Sequence, residues 1–199
     1  MSELITNKVS PGSGSSDTVT MGDFGDTFNF PSGVTVTANA GATVSGFGKV
    51  LQVLQSVKND TFTSTATSPT LITGLSVTIT PSATSSKVLV SVSLTGSNDT
   101  GTNNTAFMLQ RDSTLLACRG DAAGSRQRGS FQLNVGNASW LTPGSYTFLD
   151  SPSSTSALVY KVMGQAETGT WFVNRSDNDI DNTNHVRGSS CITVMEIGA

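Results

Sequence analysis

His185 is the only histidine, and imidazole is the group most often recruited for acid–base or nucleophilic chemistry. It stands in Asn182-Thr183-Asn184-His185-Val186-Arg187, a polar loop by composition. No nucleophile-elbow pattern supports a Ser–His–Asp triad around it, so a surface or inter-subunit histidine is expected. One histidine and two distant cysteines, Cys118 and Cys191, lack the spacing of a structural zinc site. The cysteines read as small buried apolar residues of a reducing compartment, with a single pairing left open. Asp177-Asn178-Asp179-Ile180-Asp181-Asn182 alternates three aspartates, as a calcium loop does at its start. The EF-hand pattern then demands Gly at position six and Glu at position twelve. Asn182 and Gly188 stand there instead. A solvated turn is the leading expectation, and a weak calcium site on Asp177, Asp179 and Asp181 is the alternative. Glycoside hydrolysis needs two carboxylates across a groove, and these three are too local to supply it. No cofactor is expected.

Three short motifs carry less. Arg119-Gly120-Asp121 matches the tripeptide read by integrins, yet Gly-Asp is a common turn. Asn137-Ala138-Ser139 and Asn174-Arg175-Ser176 match glycosylation acceptors, which matter only in an exported chain. Met1-Ser2-Glu3-Leu4-Ile5-Thr6 shows no secretory signal. Among the aromatics, Tyr146, Phe148, Tyr160, Trp171 and Phe172 fall in or beside expected strands and read as core. Trp140 differs, because Asn137-Ala138-Ser139 and Thr142-Pro143-Gly144 surround it with turn residues. A loop-borne Trp can stack on the apolar face of a sugar, which makes Trp140 the candidate ligand-binding residue.

The elements that must position these residues are strands. Ser and Thr dominate the polar residues, while charged side chains make up 13%, against about 25% in ordinary domains. Thr favours a pleated surface and Ser favours turns. Leu75, Val77 and Ile79 alternate with hydroxyl residues, as do Val88, Val90, Val92 and Leu94. Further strands are expected over 50–57, 61–67, 106–111, 131–135, 146–149, 157–163, 170–174 and 191–197. Turn clusters such as Gly96-Ser97-Asn98-Asp99-Thr100-Gly101 and Ser151-Pro152-Ser153-Ser154 divide them. No segment has helical periodicity. The fold class is therefore all-β, an antiparallel sandwich or jelly-roll-like domain over 49–199. Residues 1–20, with Pro11-Gly12-Ser13-Gly14-Ser15-Ser16, read as an extended docking peptide. Residues 21–48 read as a short β shaft, in which Phe28 and Phe30, then Val34 and Val36, alternate across Pro31-Ser32-Gly33. So short a segment needs copies of itself or the next domain to bury its apolar face. A formal charge of −3 and a pI near 4.9 speak against nucleic acid, which selects basic faces. No apolar run is long enough to span a membrane as a helix.

A spaced set of segments carries a resemblance. Gly46-Phe47-Gly48-Lys49-Val50-Leu51-Gln52-Val53, Gly74-Leu75-Ser76-Val77-Thr78-Ile79-Thr80-Pro81 and Ser85-Ser86-Lys87-Val88-Leu89-Val90 open it. Gly120-Asp121-Ala122-Ala123-Gly124-Ser125-Arg126, Leu149-Asp150-Ser151-Pro152, Tyr160-Lys161-Val162, Asn174-Arg175-Ser176 and Thr193-Val194-Met195-Glu196 continue it. Together they resemble the C-terminal domain of tail fibre or spike proteins of bacteriophages of marine bacteria and cyanobacteria. Gly25-Asp26-Thr27 and Pro31-Ser32-Gly33-Val34-Thr35 resemble the short shaft that precedes that domain. The resemblance implies a non-enzymatic virion protein, assembled in the bacterial cytoplasm and displayed on the particle. It implies an intertwined homotrimer, held to tail or capsid proteins by its N-terminal peptide, that contacts a host surface glycan. Capsid decoration is the alternative. The family offers no catalytic or receptor residues to carry over. Closed three-fold symmetry would also cover the open edges of isolated sheets.

Overall fold

A computed structural model describes residues 49–99, 104–134 and 137–198. The expected docking peptide and shaft lie outside the described residues. Alternating apolar and hydroxyl side chains give eleven strands among those described. They are β1 Lys49–Lys58, β2 Phe62–Ser64, β3 Thr70–Ile79, β4 Lys87–Asn98, β5 Thr105–Arg111 and β6 Thr114–Leu115. There follow β7 Phe131–Leu133, β8 Thr142–Asp150, β9 Leu158–Ala166, β10 Trp171–Val173 and β11 Ser190–Gly198.

Every pairing is antiparallel. One sheet runs β1-β11-β4-β8; β10 extends the line of β11 along the same edge of β4, and β2 lies beside β10. The other runs β3-β9-β5, with β7 and β6 sharing the far edge of β5. Two such sheets with crossing connections form a jelly-roll sandwich.

Register gives the sandwich a polarity. Lys49 lies opposite Gly198, Lys87 opposite Ile197 and Val88 opposite Asp150. The chain thus enters and ends beside the β3–β4 and β8–β9 turns. Lys58 faces Ser190, Gly96 faces Thr142 and Asn98 faces Trp171. The connections that follow β1, β4, β7 and β9 therefore gather at the opposite end.

The inner faces close on Ile72, Leu75, Val90, Val92, Leu94, Phe107, Leu109, Val162, Ile192 and Val194, all buried. Trp171 is the largest fully buried side chain, edge-on to Phe107 at 5.8 Å and tilted against Phe62 at 5.3 Å. Its ring lies directly on Gly164, where an added Cβ would come within 2.6 Å of it. Only glycine leaves that space.

Three strand boundaries differ from expectation. Gly96–Asn98 continues β4 instead of turning, because β10 pairs with it on one edge and Thr142 of β8 meets Gly96 on the other. For the same reason Thr142-Pro143-Gly144 opens β8, an edge strand where proline's missing N–H costs little. The 61–67 strand shrinks to Phe62–Ser64, the length of its partner β10.

Two buried charged clusters tie the entry end together. The Asp150 carboxylate accepts from Tyr160 Oη at 2.7 Å and pairs with Arg111, joining β8, β9 and β5. Burial, reinforced by Asp150, raises the Tyr160 phenol well above its usual range and keeps it a donor. Glu196, 1% exposed, accepts from Gln52 Nε2 at 2.6 Å and from Ser82 N and Oγ at 2.7 and 2.6 Å. Burial alone would raise its pKa, but those hydrogen bonds outweigh it and bring the value down to about 2. A lowered folded pKa stabilises above the unfolded value, near 4.5, and is lost as pH falls towards 2. Glu196→Gln should therefore lower Tm at pH 7 and flatten the fall of Tm between pH 5 and pH 2, read by circular dichroism. An unchanged acid profile would remove Glu196 as its source.

Candidate functional site

The loop end is built around Asn174. Its φ of +63° falls in the left-handed region that Asn tolerates better than most residues. Its amide is wholly buried. Nδ2 donates to the carbonyls of Lys58 and Asp60 at 2.8 and 3.0 Å. Oδ1 accepts from Ser190 Oγ and Thr95 Oγ1 at 2.6 and 3.1 Å. This one side chain joins the ends of β1 and β11 to β4, and from it the excursion 175–189 departs.

Arg175 shapes that excursion. Its guanidinium stacks 4.5 Å from the Phe172 ring centroid, and it donates to the carbonyls of Ser176 and Asp177 at 3.0 and 2.7 Å. Asp179 takes Arg187 Nη2 at 2.5 Å and Arg175 Nε at 3.5 Å. Two guanidinium groups thus neutralise the central carboxylate of the aspartate run. Asp177 is instead raised in pKa by burial and by the nearby charge of Asp99. Among the described residues no three His, Cys, Asp or Glu side chains come together as an ion would require. Asp177, Asp179 and Asp181 share a loop without converging.

Trp140 is 62% exposed. The turn that carries it is closed by Trp140 N donating to Asn137 O at 3.1 Å and Ser139 N to Asn137 Oδ1 at 2.8 Å. Asn178 then fastens this turn to the excursion, donating from N to Ala138 O at 3.0 Å and from Nδ2 to Ser139 Oγ at 3.1 Å. The sequence gives no sign that Trp140 and the aspartate run are neighbours. The excursion also holds a depression of about 190 Å³ lined by Asp179, Ile180, Asp181, Asn182, His185 and Arg187. His185 Nδ1 lies 2.9 Å from Asn182 Oδ1. An exposed indole on a turn fastened by the Asn178 amide can stack on a polar ring, and the excursion's side chains can hydrogen-bond one.

Two features went unread in the sequence. The first lies on the outer face of the β1-β11-β4-β8 sheet. Val53, Met195, Leu89 and Leu149 are directly paired across all four strands, with Val53 and Leu149 53% and 45% exposed. Val50 and Ile197 form a second, shorter apolar row beside it. Each strand shows only one or two of these residues, so the row exists only once register is set. The second is a polar groove of about 730 Å³ on the outer face of β5 and β7. Cys118 and Cys191 are both free and half-buried, not fully buried as expected. Burial raises the Cys118 thiol, with Ser130 Oγ 3.7 Å away.

No protein-family profile and no curated protein sequence matches this chain. Among solved structures it is similar to a chain from the infectious bursal disease virus Gx strain. That match has a TM-score of 0.37 and 9% identity over 82% of this chain and 42% of the other. It is also similar to a chain of the infectious bursal disease virus VP2 subviral particle. There the TM-score is 0.30 and the identity 12%, over 82% and 44%. These likenesses are distant. The chain spans less than half the length of either protein, and no functional argument rests on them.

Proposed function

We propose that this protein is a non-enzymatic structural subunit of a virion, a homotrimeric fibre or spike of a bacteriophage. Its N-terminal peptide would anchor it to the particle, and its loop end would meet a host surface glycan. The apolar row Val53–Met195–Leu89–Leu149 is the observation that carries the self-associating part of this reading. A contiguous apolar band on a hydroxyl-rich sheet, exposed at Val53 and Leu149 and partly exposed at Met195 and Leu89, is an association surface. It reaches from β1 to β8, whose outer edges have no strand partner among the described residues, so a second copy can cover both sheet face and edge. The polarity of the sandwich supports the rest, since the chain enters at Lys49 at one end and Trp140 stands at the other. Val53→Asp with Leu149→Asp should convert a trimer to monomer in light scattering of the full chain, with the far-ultraviolet spectrum unchanged. A wild-type monomer would overturn self-association and favour the second reading, capsid decoration, in which the same apolar face seats on a shell.

The glycan contact has its own test. Trp140→Ala should reduce oligosaccharide binding by about tenfold, the loss of one stacking contact, with Tm unchanged because the ring is exposed. Equal binding by both proteins would remove Trp140 from the site.

A further inference from the structure

The 730 Å³ groove lies within the range of about 300–1,000 Å³ typical of ligand sites. After β6 the chain does not go straight to β7. Leu115 of β6 packs on Ala106, Met108 and Met163 on the outer face of β5 and β9, and the chain returns along β5 with Ser130 N donating to Phe107 O at 2.8 Å. Residues 120–129 then form a loop with a closed neck, in which Gly120 N donates to Gly129 O at 3.1 Å and Arg128 Nε to Gly120 O at 2.7 Å. Gly129 presses on β5, where an added Cβ would come within 3.1 Å of Ala106. The loop is thereby held as one wall. Gln132 on β7, Asn104 before β5 and Glu167 after β9 form the other.

The chemistry of the two walls is specific. Asp121 and Gln127 line the groove from the loop, and Asn104, Gln132 and Glu167 line it from β7 and the ends of β5 and β9. Asn104 Oδ1 already accepts from Asn134 Nδ2 at 3.0 Å and Gln132 Nε2 at 3.4 Å, so the amides on that side are pre-oriented. Among the described residues the side chains of Asp121, Gln127 and Glu167 form no hydrogen bond or ion pair, which leaves their donors and acceptors for a ligand. Two carboxylates against one guanidinium, Arg126, disfavour an anion. The Phe131 ring is spent in the core on Phe107, with centroids 5.3 Å apart, so no aromatic cage awaits a cation. Planar amides that both donate and accept, beside carboxylates that accept, match the vicinal hydroxyls of a sugar.

We infer that the groove between the 120–129 loop and the outer face of β5 and β7 binds a neutral oligosaccharide, at a site separate from Trp140. This extends the glycan-contacting reading but does not depend on the Trp140 platform. Without a stacking ring the affinity should be weak, with a Kd on the order of 1 mM for a single site. Presentation in several copies would raise it.

The test uses the full chain on an array of neutral and anionic bacterial oligosaccharides, followed by titration of the best neutral probe. Gln127→Ala with Gln132→Ala is the groove variant; both side chains are exposed, so the fold should hold. The expected result is one neutral probe whose binding weakens about tenfold in the groove variant and less than about twofold in Trp140→Ala, distinct from any probe whose binding Trp140→Ala weakens. Binding lost in Trp140→Ala but intact in the groove variant would overturn the groove and leave the platform standing. Selection of anionic probes only, or of none, would overturn the groove as well.

Discussion

Asn174→Asp should destabilise the protein by about 3–5 kcal/mol and lower Tm by about 10 °C. The substitution is nearly isosteric, so packing is not the cause. Nδ2 donates to two buried carbonyls, those of Lys58 and Asp60. A carboxylate oxygen in its place faces two acceptors and no donor. The charge would also have to be buried at a residue with no exposed surface, or be neutralised at a further cost. Asn174→Gly is the informative companion. It accepts the φ of +63° without strain and removes all four side-chain hydrogen bonds, so it separates backbone preference from the polar hub. In both variants native-state hydrogen exchange should show early loss of protection at Gly188 N, which donates to Asn174 O at 3.0 Å. An Asn174→Asp protein as stable as wild type would show that the hub is incidental and that β4 and β11 align without it.

Asp150→Ala should cost about 2–3 kcal/mol, measured by urea denaturation. It leaves the Arg111 guanidinium without its counter-ion and the buried Tyr160 hydroxyl without its acceptor. The cost sits at the lower end of the range for broken buried pairs because Arg111 keeps 25% of its side chain in water. Arg111→Met in the Asp150→Ala background should recover about 1 kcal/mol or more, since it removes the orphaned cation. If the two losses simply add, the residues are not coupled and the cluster is a surface pair.

Fold class was legible because it depends on local chemistry. Leu, Val and Ile at every second position over 75–79 and 88–94 mark one face of each strand for burial, and the inner faces are indeed Leu75, Val77 and Ile79, then Val88, Val90, Val92 and Leu94. Trp171, Tyr160 and Phe172 are buried, as their strand positions implied. Trp140 stood out for its turn residues, and it is exposed.

What escaped the sequence is everything that depends on which strands become neighbours. Gly96-Ser97-Asn98 has the composition of a turn, yet it is strand because β10 pairs with all three residues and β8 meets Gly96 on the other edge. Asn174, first residue of the glycosylation-like Asn174-Arg175-Ser176, is a wholly buried hub, since its amide finds Lys58, Asp60, Thr95 and Ser190, which lie 16 to 116 residues away in sequence. Val53, Leu89, Leu149 and Met195 lie beside other apolar residues (Leu54, Val88 and Val90, Phe148, Val194), so nothing along the chain marks them as a set. Only the registers of β1 with β11, β11 with β4 and β4 with β8 place them in one row. Residue type and alternation set which face of each strand is apolar, because side-chain direction repeats every two residues. Register and strand order set what those faces and loops assemble into, because cross-strand contacts join residues that no local pattern connects.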